Sequence, residues 1–487
     1  MAELNVTGRP SVDAVIAACK MLVGEQQVLT DPADLSAYGS DWTGQFSTRP
    51  VAIVRPKTTA QVSSIVTLCL ESGLAIVPQG GRTGLCGGGV PIEGQPSLIV
   101  SLERMNRIRT VDSAARTMTV DAGVILEAAQ GRAREHGLIF PLTFGAQGSA
   151  MIGGALSTNA GGSNVVRYGT TRELCVGIEA VLPDGSVINA LTGLRKDNTG
   201  YDLKDLLIGA EGTLGIITAA VFKLSPAPLV RATAFLSVAS LAEATEVLNC
   251  LQDSTGGGVE AFEYMPSAAV DVICRVFPDI RPPLDAPAET GLFIEVASSR
   301  KDDAATQEDG SARLQTQVLG VLGELMADGI VLDAMIAQSE QQRADLWRMR
   351  ESILEAITKS GPAYHMDISL PLAQIAEFVT TMDAVLVKWG FQPLTVGHLG
   401  DGNLHYAIAA ADGRDWDSLP LAAAKQKAFD LLCALNGSFS AEHGIGQSKL
   451  EVMRALKEDT QLAMMRTLKR SLDPNNIMNP GKLVPME

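Results

Sequence analysis

Apolar positions along the chain define two regions that mix strands and helices. In the first region, short runs rich in Val and Ile predict strands at Val51–Arg55, Ala75–Pro78, Leu98–Leu102, Thr117–Asp121, Glu179–Leu182 and Ile216–Leu224. Apolar residues at helical spacing predict helices at Thr59–Ser72 and Ile125–His136. Residues 46–227 therefore indicate one α/β domain, and residues 1–45 indicate a helical lead-in.

The second region begins after a Ser-Pro-Ala-Pro stretch that is typical of a domain boundary. Its apolar runs predict strands at Ala232–Val238, Gly291–Ser298, Ala363–Ser369 and Leu394–Ala409. Amphipathic spacing predicts helices at Leu241–Gln252, Leu314–Asp328, Glu340–Ser360, Leu372–Gly390 and Leu421–Asn436. We expect an antiparallel sheet covered by helices on one face in residues 228–436, and a C-terminal segment over 437–487 that completes the site.

Composition narrows the class of protein. The 487 residues carry 39 Lys and Arg against 55 Asp and Glu, a net charge of −16, which disfavours a nucleic-acid partner. The seven cysteines include no CxxC pair, which is typical of reduced thiols. We find neither a signal or transit peptide nor a transmembrane segment, so the prediction is a cytoplasmic protein.

Three glycine clusters lie in the first region, at residues 79–89, 145–162 and 209–215. Loops of this kind expose backbone amides that can cradle phosphate, and the first cluster directly follows a predicted strand. Neither the GxGxxG pattern nor the GxxxxGK[ST] pattern occurs, which disfavours a nicotinamide Rossmann domain and a P-loop NTPase. The alternative is that these glycines serve turns with positive φ.

The segments Pro78–Gly84, Gly148–Gly154, Thr158–Gly162 and Gly209–Ile217 resemble the FAD-binding domain of vanillyl-alcohol-oxidase-type flavoproteins. The resemblance implies that the first loop wraps the pyrophosphate, that the next two segments line the ADP and ribityl portions, and that the last returns near the adenine and flavin. Arg82 stands where covalent members often carry His, which implies non-covalent FAD. The implied FAD-binding residues are Pro78, Gly80, Gly81, Arg82, Thr83, Gly84, Gly148, Ser149, Gly153, Thr158, Asn159, Gly162, Glu211, Gly212, Ile217 and Asn479.

Histidines concentrate in two short motifs of the second half. Asp401-Gly402 predicts a two-residue hairpin turn, which would place His398 directly opposite His405, with their Cβ atoms about 4.5–5.5 Å apart. Glu442 adds a carboxylate, and two imidazoles with one carboxylate commonly hold zinc or another divalent metal. We therefore predict His398, His405 and Glu442 as metal ligands. The alternative is a pair of core histidines that hydrogen-bond each other.

The histidine hairpin, the Glu442–Gly446 motif and Leu472–Lys482 resemble the C-terminal parts of FAD-linked D-2-hydroxyacid dehydrogenases, a family that includes D-2-hydroxyglutarate and D-lactate dehydrogenases and the glycolate oxidase D subunit. The resemblance spans residues 50–483. It implies an α+β fold: a two-subdomain FAD-binding domain of the vanillyl-alcohol-oxidase type plus an α+β cap domain with an antiparallel sheet. The expected substrate is D-2-hydroxyglutarate ahead of D-lactate. The natural electron acceptor stays open, with an electron transfer flavoprotein and a quinone among the options.

The chemistry of such an oxidation suggests roles for two further residues. A metal would lower the pKa of the substrate hydroxyl, His443 would act as general base, and flavin N5 would accept the hydride. Arg350 would bind the substrate carboxylate in a bidentate way, and the resemblance points to the same residue. The alternative for Arg350 is an ion pair with Glu351 or Glu355 on its own helix.

Three smaller points complete the predicted site. Asn403 would hydrogen-bond the substrate, although an Asn after Asp-Gly is also a favoured turn residue. In an extended segment, neighbours such as Glu442 and His443 would point in different directions. Several relatives carry a Lys near the position of His365 that helps to bind the substrate acid. Because this chain has His there, the identity of the substrate 2-hydroxyacid stays open.

Three other functions are compatible with the sequence: a flavin oxidase that uses O₂, a flavoprotein subunit that needs partners, and a metal hydrolase with a glycine-rich domain. The oligomeric state is open, with a homodimer among the options.

Overall fold

The computed structural model describes residues 9–486 and forms two compact units. The first unit comprises the chain up to Gly161, the segment Gly169–Pro226 and the chain from Glu442 onward. The second unit comprises Gly162–Tyr168 and Ala227–Ala441. Residues 1–8 of the predicted helical lead-in lie outside the described part of the chain.

The strands and helices are numbered in chain order. Strands β1 to β18 are Val28–Leu29, Ala52–Val54, Ala75–Gln79, Ser97–Ser101, Ile108–Asp112, Thr117–Asp121, Leu138–Ile139, Cys175–Val181, Val187–Asn189, Ile216–Lys223, Ser225–Pro226, Val230–Val238, Val259–Tyr264, Gly291–Ser298, Val331–Ile336, Ala363–Ser369, Phe391–His398 and Asn403–Ala410. Helices α1 to α17 are Val12–Val23, Pro32–Tyr38, Thr59–Ser72, Leu126–Arg134, Ile152–Thr158, Val165–Tyr168, Thr171–Leu174, Leu203–Leu207, Ala244–Thr255, Ser267–Val276, Arg313–Ala327, Glu340–Glu351, Ile353–Ser360, Ile375–Lys388, Leu421–Ala434, Leu450–Leu456 and Asp459–Leu472.

The first unit contains three sheets, the smallest of which is the two-stranded antiparallel pair β11-β7. A four-stranded sheet has the order β1-β2-β4-β3, in which β4 runs parallel to both of its neighbours. All five residues of β4 are buried, as expected for parallel strands that are covered on both faces. The backbone of Ile76 in β3 also bonds Ile477 and Asn479, which attaches the C-terminal segment to this sheet. A second, antiparallel sheet has the order β5-β6-β10-β8-β9.

The second unit is built on a seven-stranded antiparallel sheet with the order β15-β12-β14-β13-β17-β18-β16. Helices α9, α11, α14 and α15 contribute to the apolar core on one face, and α10, α12 and α13 contribute to that on the other. The expectation that helices cover only one face is therefore wrong. The reason is visible in β14, whose eight residues are all buried, because a strand that buries the residues of both its alternating faces needs cover on both sides of the sheet.

The sequence prediction also missed a strand that matters for the site. Strand β13 lies in the middle of the sheet and is buried at all six positions, yet it contains Glu260 and Glu263. Two charged residues in six weaken the apolar signal on which strand prediction depends. The predicted helix Glu340–Ser360 is divided at Ser352 into α12 and α13. Among residues 9–486, every helix is too short or too polar to cross a bilayer.

Candidate active site

Four neighbouring strands of the second unit carry polar side chains on the sheet face that is otherwise packed against α10, α12 and α13. Glu263 of β13 pairs with His398 of β17, and Asp367 of β16 pairs with His405 of β18. His405 also pairs with Val396, which lies two residues before His398 and so shares its face. We call Glu263, His398, His405 and Asp367 the polar row.

The hairpin between β17 and β18 has a different register from the predicted one. Val396, not His398, lies opposite His405, and a 3₁₀ turn over Leu399–Asp401 with Gly402 at φ 86° makes the loop longer than two residues. The predicted direct pairing of the two histidines is therefore wrong. Because side chains alternate with a period of two, a shift of two residues keeps both imidazoles on one face. The ring centroids of His398 and His405 are 5.2 Å apart, with an edge-to-face angle of 85°.

Glu263 connects two of the predicted functional residues. Its carboxylate is fully buried, with Oε1 2.8 Å from His398 Nδ1 and Oε2 accepting a hydrogen bond of 2.7 Å from Arg350 Nε. Burial alone would raise the pKa of Glu263, but Arg350 and His398 hold that pKa below its ordinary value. An ionised carboxylate only accepts hydrogen bonds, so His398 Nδ1 carries the hydrogen of this bond and its Nε2 has the lone pair when the ring is neutral.

Arg350 is buried at 8% exposure and belongs to a helix that is anchored to the sheet. Trp347 lies one helical turn before Arg350, and Arg343 lies two turns before it. Both donate to Glu295: Trp347 through one hydrogen bond, and Arg343 through two of 2.6 and 2.7 Å. Arg350 forms its ion pair with Glu263, not with Glu351 or Glu355 as in the alternative. Among the described residues, Arg350 Nη2 is buried without a hydrogen-bond partner.

Asn403 already has partners for its amide nitrogen. Nδ2 donates to Asp367 Oδ1 at 3.1 Å and to the Ile368 carbonyl at 2.9 Å, and Oδ1 is buried without a partner within residues 9–486. Asp367 itself is 4% exposed and was not predicted as a site residue. The signal that could have revealed it is a single carboxylate inside an otherwise uncharged predicted strand.

Two further potential metal ligands directly follow Ala441 in the chain. The amide of Ala441 donates to Asp367 Oδ2 at 3.1 Å, and Glu442 and His443 follow directly. Asp367, His405, Glu442 and His443 each offer one ligand atom, and these atoms lie within 4.8 Å of one another. Two carboxylates and two imidazoles are a donor set that fits zinc or another divalent metal.

This group contains two of the three predicted ligands, His405 and Glu442. His398 is outside it but contacts the ring of His405. The expectation that Glu442 and His443 point apart is wrong, because the chain bends at residues 441–443 instead of running straight. As a result, Glu442 Oε1 lies 3.8 Å from His443 Nε2.

The first two glycine clusters lie directly against each other in the first unit. A Cβ atom on Gly81 would be 2.0 Å from the Ser149 carbonyl oxygen, and one on Gly80 would be 3.5 Å from the Met151 side chain. By contrast, a Cβ on Gly84 would meet no described atom within 4 Å. The clusters therefore combine close backbone packing with open space beside the loop, as a dinucleotide cradle requires.

Glu211, predicted to contact FAD, has a different set of partners. Its two carboxylate oxygens accept hydrogen bonds from the amides of Ile445 at 2.7 Å and Gly446 at 2.8 Å. A Cβ on Gly444 would be 2.8 Å from the same carboxylate. Burial raises the pKa of Glu211. This residue holds the backbone that directly follows His443, and its contact with FAD stays a prediction.

Comparison with known proteins identifies the family. Residues 50–191 match the FAD binding domain model, and residues 227–483 match the model of the C-terminal domain of FAD linked oxidases. A mitochondrial D-2-hydroxyglutarate dehydrogenase of Bos taurus is 37% identical over 463 residues, 94% of this chain and 81% of that protein. A D-2-hydroxyglutarate dehydrogenase of Xanthomonas citri pv. viticola is 36% identical and covers 97% of both chains. The chain belongs to the FAD-linked D-2-hydroxyacid dehydrogenase family.

Solved structures confirm the predicted fold of this dehydrogenase. p-Cresol methylhydroxylase matches with a TM-score of 0.74 at 17% identity, over 96% of each chain. Alkyldihydroxyacetonephosphate synthase matches with a TM-score of 0.72 at 17% identity, over 98% of this chain and 86% of that one. The α+β, vanillyl-alcohol-oxidase-type architecture is therefore confirmed. The cytoplasmic location stays a prediction, since the named relatives include mitochondrial and bacterial proteins.

The predicted FAD-binding residues of the dehydrogenase lie mostly in loops of the first unit. Pro78 is in β3, Gly80–Gly84 follow it, and Ile217 is in β10, whereas Gly162 belongs to the second unit. Around α5, Gly148 and Ser149 precede the helix, Gly153 and Thr158 lie in it, and Asn159 follows it. Glu211 and Gly212 precede β10, and Asn479 lies beside β3. Of these predicted FAD-binding residues, four that are not glycine adopt left-handed φ values of 60°, 50°, 49° and 41°, namely Arg82, Asn159, Glu211 and Asn479.

Two buried acceptors in this region fit a bound cofactor. Asn479 Nδ2 donates to the Gly88 and Glu211 carbonyls at 3.0 and 2.7 Å, but its Oδ1 is buried without a partner, as is Gln79 Oε1, in the described structure. Hydroxyl and amino groups of FAD could donate to such oxygens. Arg82 is exposed and donates to the Ala37 carbonyl at 2.8 Å, so its predicted place at the pyrophosphate stays untested.

Proposed function

We propose that this dehydrogenase oxidises a D-2-hydroxyacid of the D-2-hydroxyglutarate or D-lactate class to the 2-oxoacid, with non-covalent FAD and a divalent metal, most simply zinc. The observation that carries the proposal is Arg350, a buried cation with an unpartnered Nη2 on the sheet face that holds the polar row. An α-carboxylate is the part of the substrate that needs a fixed cation, and a guanidinium is the side chain best shaped to bind it. The names of the relatives favour D-2-hydroxyglutarate over D-lactate.

Each predicted residue has a role in this proposal. Arg350 binds the substrate carboxylate, and Asn403 offers its unpartnered Oδ1 to a substrate hydroxyl. His443 takes the hydroxyl proton, and His398, His405 and Glu442 hold the metal. When bound, FAD would supply a hydride acceptor and the metal would supply Lewis acidity at the hydroxyl.

Asp367 supports this arrangement in two ways. It accepts hydrogen bonds from Asn403 and from the Ala441 amide, and so fixes the amide that faces the substrate and the start of the segment carrying Glu442. It is also one of the four potential ligands in the group around His405. We therefore add Asp367 to the residues that hold the metal.

A dye-reduction screen of D- and L-2-hydroxyacids, run with and without a chelator, tests the proposal. We expect reduction by D-2-hydroxyglutarate first and D-lactate second, with loss of activity after metal removal and recovery with Zn²⁺. A preference for an L-acid, a plain alcohol or an aldose would refute it. Stopped-flow reoxidation in air separates a dehydrogenase from an oxidase, and added electron transfer flavoprotein or a quinone tests the proposed acceptors.

A further inference from the structure

We propose that Glu263 is a positioning residue that sets both the metal-binding nitrogen of His398 and the carboxylate-binding guanidinium of Arg350. The inference rests on the proposed function, because it assigns Glu263 a role through these two residues. It implies that metal affinity and substrate affinity depend on one buried carboxylate.

The geometry divides the two oxygens of Glu263 between two functional partners. Oε1 lies 2.8 Å from His398 Nδ1, and Oε2 accepts a 2.7 Å hydrogen bond from Arg350 Nε. Pairing with a permanently charged guanidinium keeps this carboxylate an acceptor, so the bonded His398 nitrogen is Nδ1–H. The nitrogen left to ligate a metal is then Nε2. A carboxylate behind a ligating histidine in this way fixes its orientation and raises its basicity.

A comparison with Glu295 indicates that Glu263 is not needed merely to hold α12 on the sheet. Glu295, on the adjacent strand β14, accepts two bonds from Arg343, one from Trp347 and one from Thr233, and so anchors the helix through groups without a predicted catalytic role. Of the Arg350 donors, Glu263 accepts only Nε–H, and Arg350 Nη2 is without a partner in the described structure. Glu295 therefore holds α12 in place, whereas Glu263 orients the Arg350 guanidinium and leaves its Nη2 available to a substrate.

Burial makes this arrangement sensitive to a change that preserves volume. Glu263 is fully buried, and Arg350 and His398 are each 8% exposed, so water cannot readily replace a lost bond. Gln at position 263 would fill the same space but would present an NH₂ group to one of the two donors. It would also remove the charge that faces the guanidinium. We expect both partners to reorient.

The test is Glu263→Gln in the full-length, FAD-loaded enzyme, with Glu260→Gln as the matched control. Glu260 lies on the same strand and is a buried carboxylate, but it pairs with Arg167 and Tyr168 instead of site residues. We expect Glu263→Gln to weaken Zn²⁺ retention against a competing chelator about 10–100-fold and to raise the KM for D-2-hydroxyglutarate at saturating Zn²⁺ by about tenfold or more. Glu260→Gln should change melting temperature only.

The outcomes separate this inference from the proposed function. If both variants match wild type in Zn²⁺ affinity and KM, or if Glu263→Gln shifts only one of the two, the dual role is wrong while the proposed function stands. If Glu263→Gln does not fold with FAD, Glu263→Asp replaces it as the test. Because Asp keeps the charge but is shorter, we expect Zn²⁺ affinity below that of the wild type and a KM above it, with both changes smaller than those expected for Glu263→Gln. Wild-type values of both would overturn the inference. If the wild type oxidises no 2-hydroxyacid, the proposed function fails, and an unchanged Zn²⁺ affinity in Glu263→Gln would overturn the His398 part independently.

Discussion

The glycine clusters of the first unit and the polar row of the second unit build their sites by opposite means. The clusters rely on backbone that approaches backbone, as at Gly81 and Ser149, where a single Cβ would overlap a carbonyl oxygen. The polar row relies on a few charged side chains placed in a buried sheet and held by other charges, as with Glu263 between Arg350 and His398.

This difference teaches which kind of change each region tolerates. At a closely packed cluster glycine such as Gly81 the side chain must be absent, so adding one methyl group disrupts the site whatever its chemistry. In the polar row the volume can stay the same while the charge or a hydrogen atom changes, and the site is disrupted all the same. Four predictions test the contrast.

The largest effect is expected at His443. Loss of a general base typically lowers turnover ~10²–10⁴-fold, so His443→Ala should lose most of kcat. FAD should stay bound, because Glu211 still accepts the amides of Ile445 and Gly446. Metal content, measured by elemental analysis, should also be retained.

The matched variant is Glu442→Ala, which should lose metal and activity together. Glu442 and His443 are adjacent and belong to the same group of potential ligands, so the two variants differ only in which group is removed. If His443→Ala loses the metal and Glu442→Ala keeps it, the two roles are exchanged. If neither variant changes the metal content, the group is structural.

The second prediction concerns backbone packing. In Gly81→Ala the new Cβ would be 2.0 Å from the Ser149 carbonyl oxygen and 3.0 Å from Ala150 Cα, so the loops must separate. Overpacking of this kind costs about 1–3 kcal/mol or more, which corresponds to FAD affinity lower by roughly 10–100-fold. Flavin absorbance of the purified variant and an FAD titration measure it.

Gly84→Ala is the control within the same loop, because its Cβ meets no described atom within 4 Å. It should bind FAD more tightly than Gly81→Ala when both are titrated with added FAD. Equal loss from both variants would mean that the bound cofactor, and not loop packing, limits the space at these glycines.

The third prediction tests the charge requirement of the polar row. Arg350→Lys keeps a positive charge but cannot donate to Glu263 and to a carboxylate from one planar group. We expect kcat/KM for the 2-hydroxyacid to fall about 10–100-fold, mainly through KM, with FAD content unchanged. A variant with wild-type kinetics would remove Arg350 from the substrate site.

The sequence predicts the fold of the two regions better than it predicts the side-chain contacts of the site. The α+β fold and FAD-binding domain are confirmed, because apolar runs and glycine clusters are local signals. The predicted His398–His405 register is wrong, and the Glu263–Arg350 pair was not predicted. The first depends on a loop that is longer than Asp401-Gly402 alone indicates. The second joins residues 87 positions apart and involves a strand whose own charges hide it.

The smallest effect is expected on the other face of the sheet, where Asp383 of α14 accepts a hydrogen bond from Tyr406. Burial raises the pKa of Asp383 to about 6 from 3.8, although the bond from Tyr406 opposes this shift. The folded state then binds the proton more tightly than the unfolded state. The resulting stabilisation is complete below pH 3.8 and is lost as the pH rises through about 6, opposite to the case of Glu263.

Asp383→Asn removes this dependence, since an amide carbonyl can still accept the Tyr406 hydrogen bond without carrying charge. We expect the variant to be more stable than wild type by roughly 1–3 kcal/mol at pH 7.5 and to lose that advantage near pH 4, as measured by urea unfolding at both pH values. Glu263→Gln should instead lose stability at pH 7.5, because the substitution removes a carboxylate that is paired with the Arg350 cation. No such cation is described beside Asp383. An equal gain for Asp383→Asn at both pH values would mean that packing, and not the charge of a buried carboxylate, distinguishes the two faces.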